Sequence, residues 1–354
     1  MTDRERFRIL MAGGTPDRVP FLAFSELVPE EIWERELRDL GMGLITHVSS
    51  VVPVAAEVEV RHVRAGAVHT AELVTPCGVL TARYRTDRPR ISGSGEVQTE
   101  WYVKEPGDYD AMIWALDHTS FRVDGRAFHE TRTRLGDHGV THTWCDEPPY
   151  MGLQYLLGWE NWVLHQVDHP ARFRELMDAY GRKQDRRLEA QLTAPERDLI
   201  NLGNLSGNYA PRHYAEYTKP YFDRYAPRLR ERGCSVTIHA DALNLKQHAA
   251  LLPGAGVNVI EAFTPPPVGN LPVGEVRSAW GPEVTLHINV PETLFHSGYD
   301  ATFVAWISNQ TRCCSLQLFA QLKFSGRLQV KSPRIRAPHV RKSLGQKSPA
   351  CATG

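Results

Sequence analysis

The sequence predicts an α/β fold, an eight-stranded (β/α) barrel that is incomplete at its last strand and helix. Strand-like and helix-like stretches alternate from residue 18 to residue 290. About seven strands can be counted there, one short of a closed barrel of this kind. The later strands alternate apolar and polar side chains with period two, and their polar groups gather at the C-terminal ends. Barrel enzymes place their chemistry at those ends.

RVPFLAFSE (18–26) reads as the first strand, followed by an amphipathic helix near 29–40 carrying Ile32, Trp33, Leu37 and Leu40. GLITHVSSV (43–51) is the second strand. Residues 57–104 alternate around glycine-containing turns and form an inserted β-hairpin or small sheet, a lid or rim. Residues 108–137 look helical, and GVTHTWCDE (139–147) is strand-like. Two long helices follow, near 151–167 and 170–192. Leu153, Leu156, Leu157, Val163 and Val167 mark the buried face of the first, and Phe173, Leu176, Met177 and Tyr180 that of the second. Strands at 198–204, 234–241, 256–263 and 284–290 then alternate with helices near 211–232, 243–252 and 272–280.

The 354 residues are 42% hydrophobic and 23% charged, enough to bury a sizeable core. The N-terminus MTDRERFRIL has no apolar h-region, and no stretch approaches the ~18 uninterrupted apolar residues of a membrane span. Six cysteines without a CxxC pair fit a reducing compartment, so the expectation is a cytoplasmic protein without membrane contact. Cys145 and Cys234 read as core residues. No nucleotide-cofactor motif is present. Charge is uneven: residues 301–354 hold nine of the 41 Lys and Arg and none of the 41 Asp and Glu. This tail has neither a helical stripe nor interleaved aromatics, so it reads as a solvated, disordered or aberrant segment rather than a nucleic-acid-binding one. Residues 1–295 are the barrel and 296–354 a separate basic tail.

Within 234–241, Val236, Ile238 and Ala240 share one face, and Ser235, Thr237, His239 and Asp241 the other. Within 284–290, Thr285, His287 and Asn289 form the polar face. Glu261 lies near the end of the strand between. His239, Asp241, Glu261, His287 and Asn289 therefore share one expected pocket inside the barrel mouth. Such a set can hold a divalent ion, work as a metal-free acid/base group, or be an inert polar plug. Glu147, before Pro148-Pro149, is either a base facing that pocket or a cap on the next helix. Gly203 and Gly207 can admit a ligand close to the backbone, and Asn204, Asn208, Asn289 and Tyr150 are candidate substrate contacts.

RERFRILMAGGTPDRVPF, EPPYMGLQYLLGWENWVLHQVDHPARFRELMDAY and VTIHADALNLKQHAALLPGAGVNVIEAFTPPPVGNLPVGEVRSAWGPEVTLHINVPETLF together resemble the uroporphyrinogen decarboxylase superfamily, especially its methyltransferase-like and uncharacterised branches. The resemblance covers residues 4 to about 295. It implies a (β/α)8 barrel. True decarboxylases of that superfamily use a basic RQAGRY-type loop and an aspartate on the pyrrole N–H groups. Here TPDRVPFLAFSE offers Arg18 and then Glu26, and no aspartate follows the second strand. The corrinoid methyltransferase branch binds zinc through His-x-Cys and a later Cys. His239 matches that His, whereas Asp241 stands where the first Cys would be. Asp is a harder ligand than thiolate, so the resemblance allows but does not require zinc on His239 and Asp241, and it allows a corrinoid, free or protein-borne, as partner or substrate. The expected activity is methyl transfer or demethylation, with Glu147, Glu261 and His287 as catalytic groups. Decarboxylation of a tetrapyrrole or other carboxylate is the alternative. A non-catalytic corrinoid or tetrapyrrole binder, or an inactive truncated copy, is the reading from another class.

Overall fold

The structure is a computed structural model that describes residues 1–55, 57–87, 96–205, 210–241, 244–254, 256–281, 283–290 and 317–322. Helix α1 (Asp3–Met11) opens the chain. Thr2 and Glu5 form a reciprocal capping box that satisfies its first orphan N–H groups. Strands β1 (Phe21–Phe24) and β2 (Met42–His47) follow, separated by a short helical segment, α2 (Glu30–Ile32), that continues as a wider turn to Leu37. Leu40 lies beyond this turn and is exposed, outside the expected stripe.

Strands β3 (Val51–Val54), β4 (Glu59–Ala65), β5 (Val68–Thr75), β6 (Gly78–Arg85) and β7 (Val97–Glu100) come next. β4 to β7 form a four-stranded antiparallel sheet, the inserted sheet expected at 57–104. Ala71, Leu80 and Ala82 are buried apolar residues of this sheet, and it leans on helix α3 (Tyr109–Asp117). The stretch 108–137 is not all helix. β8 (Ser120–Val123) separates α3 from α4 (Arg126–Leu135) and pairs antiparallel with β3.

β9 (Gly139–Trp144), α5 (Pro149–Asp168), α6 (Pro170–Thr193) and β10 (Leu199–Asn204) fall where the sequence places them. The buried face of α6 is the expected one, and that of α5 holds through Leu153, Leu156 and Leu157 but not beyond. Val163 and Val167 are 50% and 76% exposed, whereas Trp162 and His165 are buried. Gly158 explains the change: its φ of 75° breaks the helix, and a Cβ there would sit 2.7 Å from the Trp101 ring. The kink rotates the second half of α5, so a stripe counted across it addresses the wrong side.

The chain continues through α7 (Pro211–His213), α8 (Lys219–Glu231), β11 (Ser235–His239), β12 (Val259–Phe263), α9 (Val273–Trp280), β13 (Thr285–Val290) and β14 (Gln317–Leu322). Residues 245–251 form a tight 3₁₀ segment where a helix was expected. Eight parallel strands stand in the closed order β1-β14-β13-β12-β11-β10-β9-β2. The expectation of an incomplete barrel is therefore corrected. Residues 317–322 of the basic tail supply the eighth strand, pairing with both β13 and β1. The two strands flanking the gap present unpaired N–H and C=O groups, and β14 satisfies them. The rest of the tail, 296–316 and 323–354, lies outside the described residues, as does any helix there.

Two apolar layers hold the barrel. Outside it, Ile200, Leu202, Val236, Ile238, Ile260, Leu286 and Ile288 pack against the helices. Inside, at the N-terminal end, Leu22, Ile45, Val140, Leu199 and Val259 close around Phe7 and Leu10 of α1, which plugs the barrel. Burying Phe7 alone contributes ~2 kcal/mol. Arg4 ties the plug down, donating to Asp198 at 2.9 Å.

Candidate active site

The two expected strand faces are as predicted. Val236 and Ile238 join the outer layer, while Thr237 and His239 belong to a polar layer with Glu261 inside the barrel. Glu261 is completely buried and gathers four strands. Its Oε2 accepts from His142 Nε2 of β9 at 2.8 Å, Asn201 Nδ2 of β10 at 3.1 Å and Thr237 Oγ1 of β11 at 2.8 Å. Its Oε1 faces His239 Nδ1 at 3.4 Å. Burial alone would raise this carboxyl, but the neighbouring His142 and His239 outweigh it and hold the group well below the usual range.

His239 lies between two carboxylates, with Nε2 3.5 Å from Asp241 Oδ2. Burial opposes its charge, but Asp241 and Glu261 dominate and push the imidazole up to about 9. Both ring nitrogens therefore carry protons near neutrality. His239 and Asp241, the two zinc ligands that the resemblance allows, lie together at Nε2, while Glu261 faces the other ring nitrogen. Among the described residues, no group of three or more His, Cys, Asp or Glu is placed to hold a metal ion. His287 is buried one residue beyond the Leu286–Ile260 pair, next to the level of Glu261, with its ring edge-on to Phe24 at 6.4 Å.

Glu147 is not a helix cap. α5 has no side-chain cap, and Glu147 Oε2 instead accepts from the Asn204 backbone N–H at 2.6 Å. The local chain imposes this inward turn. Asp146 sits at φ 60°, anchored by Lys183 at 3.2 Å and Arg187 at 3.4 Å, and Pro149 starts the helix. Gly203, expected to admit a ligand, makes room for this turn instead: a Cβ would meet Pro148 at 2.4 Å and Glu147 Oε2 at 2.9 Å. Burial pushes the Glu147 carboxyl up to about 7, against the opposing pull of the Asn204 N–H and of His239. Glu147 lines a pocket of about 400 Å³ beside the end of β9, with Trp144, Asp146, Tyr155, Tyr180 and Lys183. Trp144 also lies 5.6 Å, ring to ring, from His239, so it connects this pocket to the polar layer.

Other expected contacts separate. Tyr150 is buried on the helix side, its hydroxyl donating to Gln166 at 3.0 Å and lying 3.1 Å from His213 Nδ1. Tyr155, one helical turn further on, takes the pocket position and hydrogen-bonds Glu147. Asn289 donates to the carbonyl of Ala262 at 3.1 Å and to Thr264 at 3.3 Å, holding a residue at φ 55°. Asn208 and Gly207 lie outside the described residues. Cys145 and Cys234 are buried as expected, and burial raises the Cys145 thiol to about 12.

Sequence reasoning missed His142, Asn201 and His47. His47 holds Glu26 through Nδ1 at 2.5 Å, and its ring meets that of His142 at 4.6 Å. Two histidine–carboxylate pairs, Glu26–His47 and His142–Glu261, thus touch through their rings. The signal available was strand parity: His142 shares its face with Val140 and Trp144, and the register sets His47 opposite it.

No family model matches the sequence, and no curated protein matches it in sequence. Among solved structures, a methyltransferase from Methanosarcina mazei matches with a TM-score of 0.53 over 91% of this chain and 92% of that chain, at 10% identity. The likeness extends over nearly the whole length of both chains, and it is one of fold. Among the described residues no helix is long and apolar enough to cross a membrane.

Proposed function

We propose that this chain is an enzyme of the uroporphyrinogen decarboxylase-like kind that carries out methyl-transfer or demethylase-type chemistry at the C-terminal end of its barrel. The observation that carries the reading is a pair of groups with displaced proton affinities: a buried carboxyl, Glu147, held near 7, in the field of a protonated His239. A base poised near neutral pH suits removal of a proton from a thiol-class methyl acceptor. As the acceptor sulfur attacks the methyl carbon, its proton passes to Glu147. The bond from carbon to the donor breaks, and its electron pair stays on the leaving atom, whose developing negative charge the His239 imidazolium offsets. Asp241 and Glu261 hold His239 in its charged form. A corrinoid would enter as the methyl-bearing reactant, and no step is assigned to zinc.

The fold-level likeness to a methyltransferase supports this reading. Decarboxylation of a polycarboxylate draws less support, because such a substrate needs cationic partners. Lys183 is the cation among the described residues that line the pocket, and it is paired with Asp146. The test is methyl transfer from methylcobalamin to 2-mercaptoethanol, followed by the visible spectrum, with wild type beside Glu147→Gln. Turnover that falls ~10²-fold or more in the variant agrees with a general-base role. Corrinoid binding without turnover would return the chain to the non-catalytic binder, and neither binding nor turnover would end the methyl-transfer reading.

A further inference from the structure

A second cavity, of about 460 Å³, lies at the opposite, N-terminal end of the barrel, walled by α1, the residues before β10 and the turn between α8 and β11. Four guanidinium groups line it, those of Arg4, Arg8, Arg197 and Arg230, against one carboxylate, Asp198. Asp198 is already committed. Its Oδ1 accepts from Arg4 at 2.9 Å, and its Oδ2 accepts from the Thr141 N–H at 2.9 Å and hydroxyl at 3.0 Å. Arg8, Arg197 and Arg230 pair with no carboxylate among the described residues. Arg197 donates to the carbonyls of Ala194 and Glu196, and Arg230 to that of Cys234 at 2.7 Å. Arg4 is buried, and its Nε has no hydrogen-bond partner among the described residues.

An unbalanced, partly desolvated cluster of cations is costly unless an anion completes it. Burial already lowers the proton affinity of Arg230, as a cation without a counter-charge requires. The remaining wall is apolar: Phe7, Met11 and Phe128. We propose that this cavity binds a small organic phosphate, its phosphoryl oxygens on the arginines and its compact apolar body against Phe7, Met11 and Phe128. A phosphate monoester brings about two negative charges and three acceptor oxygens, which suits several guanidinium forks better than one carboxylate does. Because the cavity is at the other end of the barrel from Glu147 and His239, this ligand is distinct from the substrate of the proposed reaction, and the inference stands without it.

Calorimetric titration of the full chain with phenyl phosphate, inorganic phosphate and benzoate separates the contributions of charge and apolar body. Phenyl phosphate should saturate one site, ~10-fold tighter than inorganic phosphate or benzoate. Arg8→Gln should weaken it ~10-fold and Arg8→Lys less. Arg8 is exposed on α1, so these variants should melt like the wild type. Arg230→Gln is a second probe where it folds. No saturable binding of phenyl phosphate overturns the proposal. So does binding unchanged in Arg8→Gln, or binding that vanishes in Glu147→Gln, which would locate the ligand at the opposite end.

Discussion

Replacing His239 by Gln should change how stability depends on pH, and the structure sets both sign and size. The imidazole is buried and sits 3.4 Å from Glu261 Oε1 and 3.5 Å from Asp241 Oδ2. These carboxylates overcome the cost of burial and raise the group from an ordinary 6.5 to about 9. Between those values the folded protein holds a proton that the unfolded chain has released. The stabilisation is therefore complete below pH 6.5, shrinks as pH rises through the window, and is gone above about pH 9. At 1.36 kcal/mol per pH unit, the ceiling is ~3 kcal/mol. Urea unfolding of wild type and His239→Gln at half-unit steps from pH 6 to 9.5 gives the difference directly, and groups common to both proteins largely cancel. The gap between the two proteins should narrow by ~2–3 kcal/mol across the series. A gap constant to within ~0.5 kcal/mol would show that His239 is not the charged centre of this layer.

Glu147 should act in a lower window. Its carboxyl is raised from 4.5 to about 7, so the stability tied to its neutral form is complete below pH 4.5 and lost as pH rises through 7. Glu147→Gln should lack that loss and melt above wild type at pH 8, while the activity limb near pH 7 disappears; a lower melting point at pH 8 would contradict the assignment. Glu261→Ala strips the acceptor from His142, Asn201 and Thr237 at once and should cost ~3–5 kcal/mol in thermal unfolding, with Glu261→Gln costing less because an amide oxygen remains. Gly158→Ala forces a side chain onto the Trp101 ring at an unfavourable φ and should cost ~1–3 kcal/mol; an unchanged melting curve would mean that α5 does not need the kink.

What the sequence made legible was whatever depends on parity within one strand. Val236, Ile238 and Ala240 against Thr237, His239 and Asp241 is a local pattern, and the barrel respects it through His239. Glu261 could be placed in the same layer because neighbouring strands start at similar points in the pattern. Residues whose role depends on register between distant segments were hidden. His142 and His47 meet only because β9 lies beside β2, across an insertion of some ninety residues. Tyr150 and Tyr155 both sit on α5, and only the approach angle of that helix decides which reaches Glu147. The eighth strand was obscured by composition. QLFAQL alternates acceptably, but it stands in a run whose basic charge dominates any wider window.

The polar layer also explains why two carboxyls in one barrel end up with opposite proton affinities. Glu261 is as buried as a side chain can be, yet it meets three donors on one oxygen and a protonated ring on the other, so its charge is stabilised where it lies. Glu147, beyond the end of β9, has a backbone N–H, the Tyr155 hydroxyl and the more distant field of His239, which is too little to offset burial. A fixed anion against His239 and a titrating carboxyl in the field of the same ring form a division of labour: Glu261, with Asp241, sets the charge of His239, and Glu147 is free to gain and lose a proton near pH 7. An inert plug would have no need of that asymmetry, since two satisfied anions or two amides would close the barrel mouth as well. The difference between the two carboxyls, more than the presence of either, is what favours chemistry at this end of the barrel.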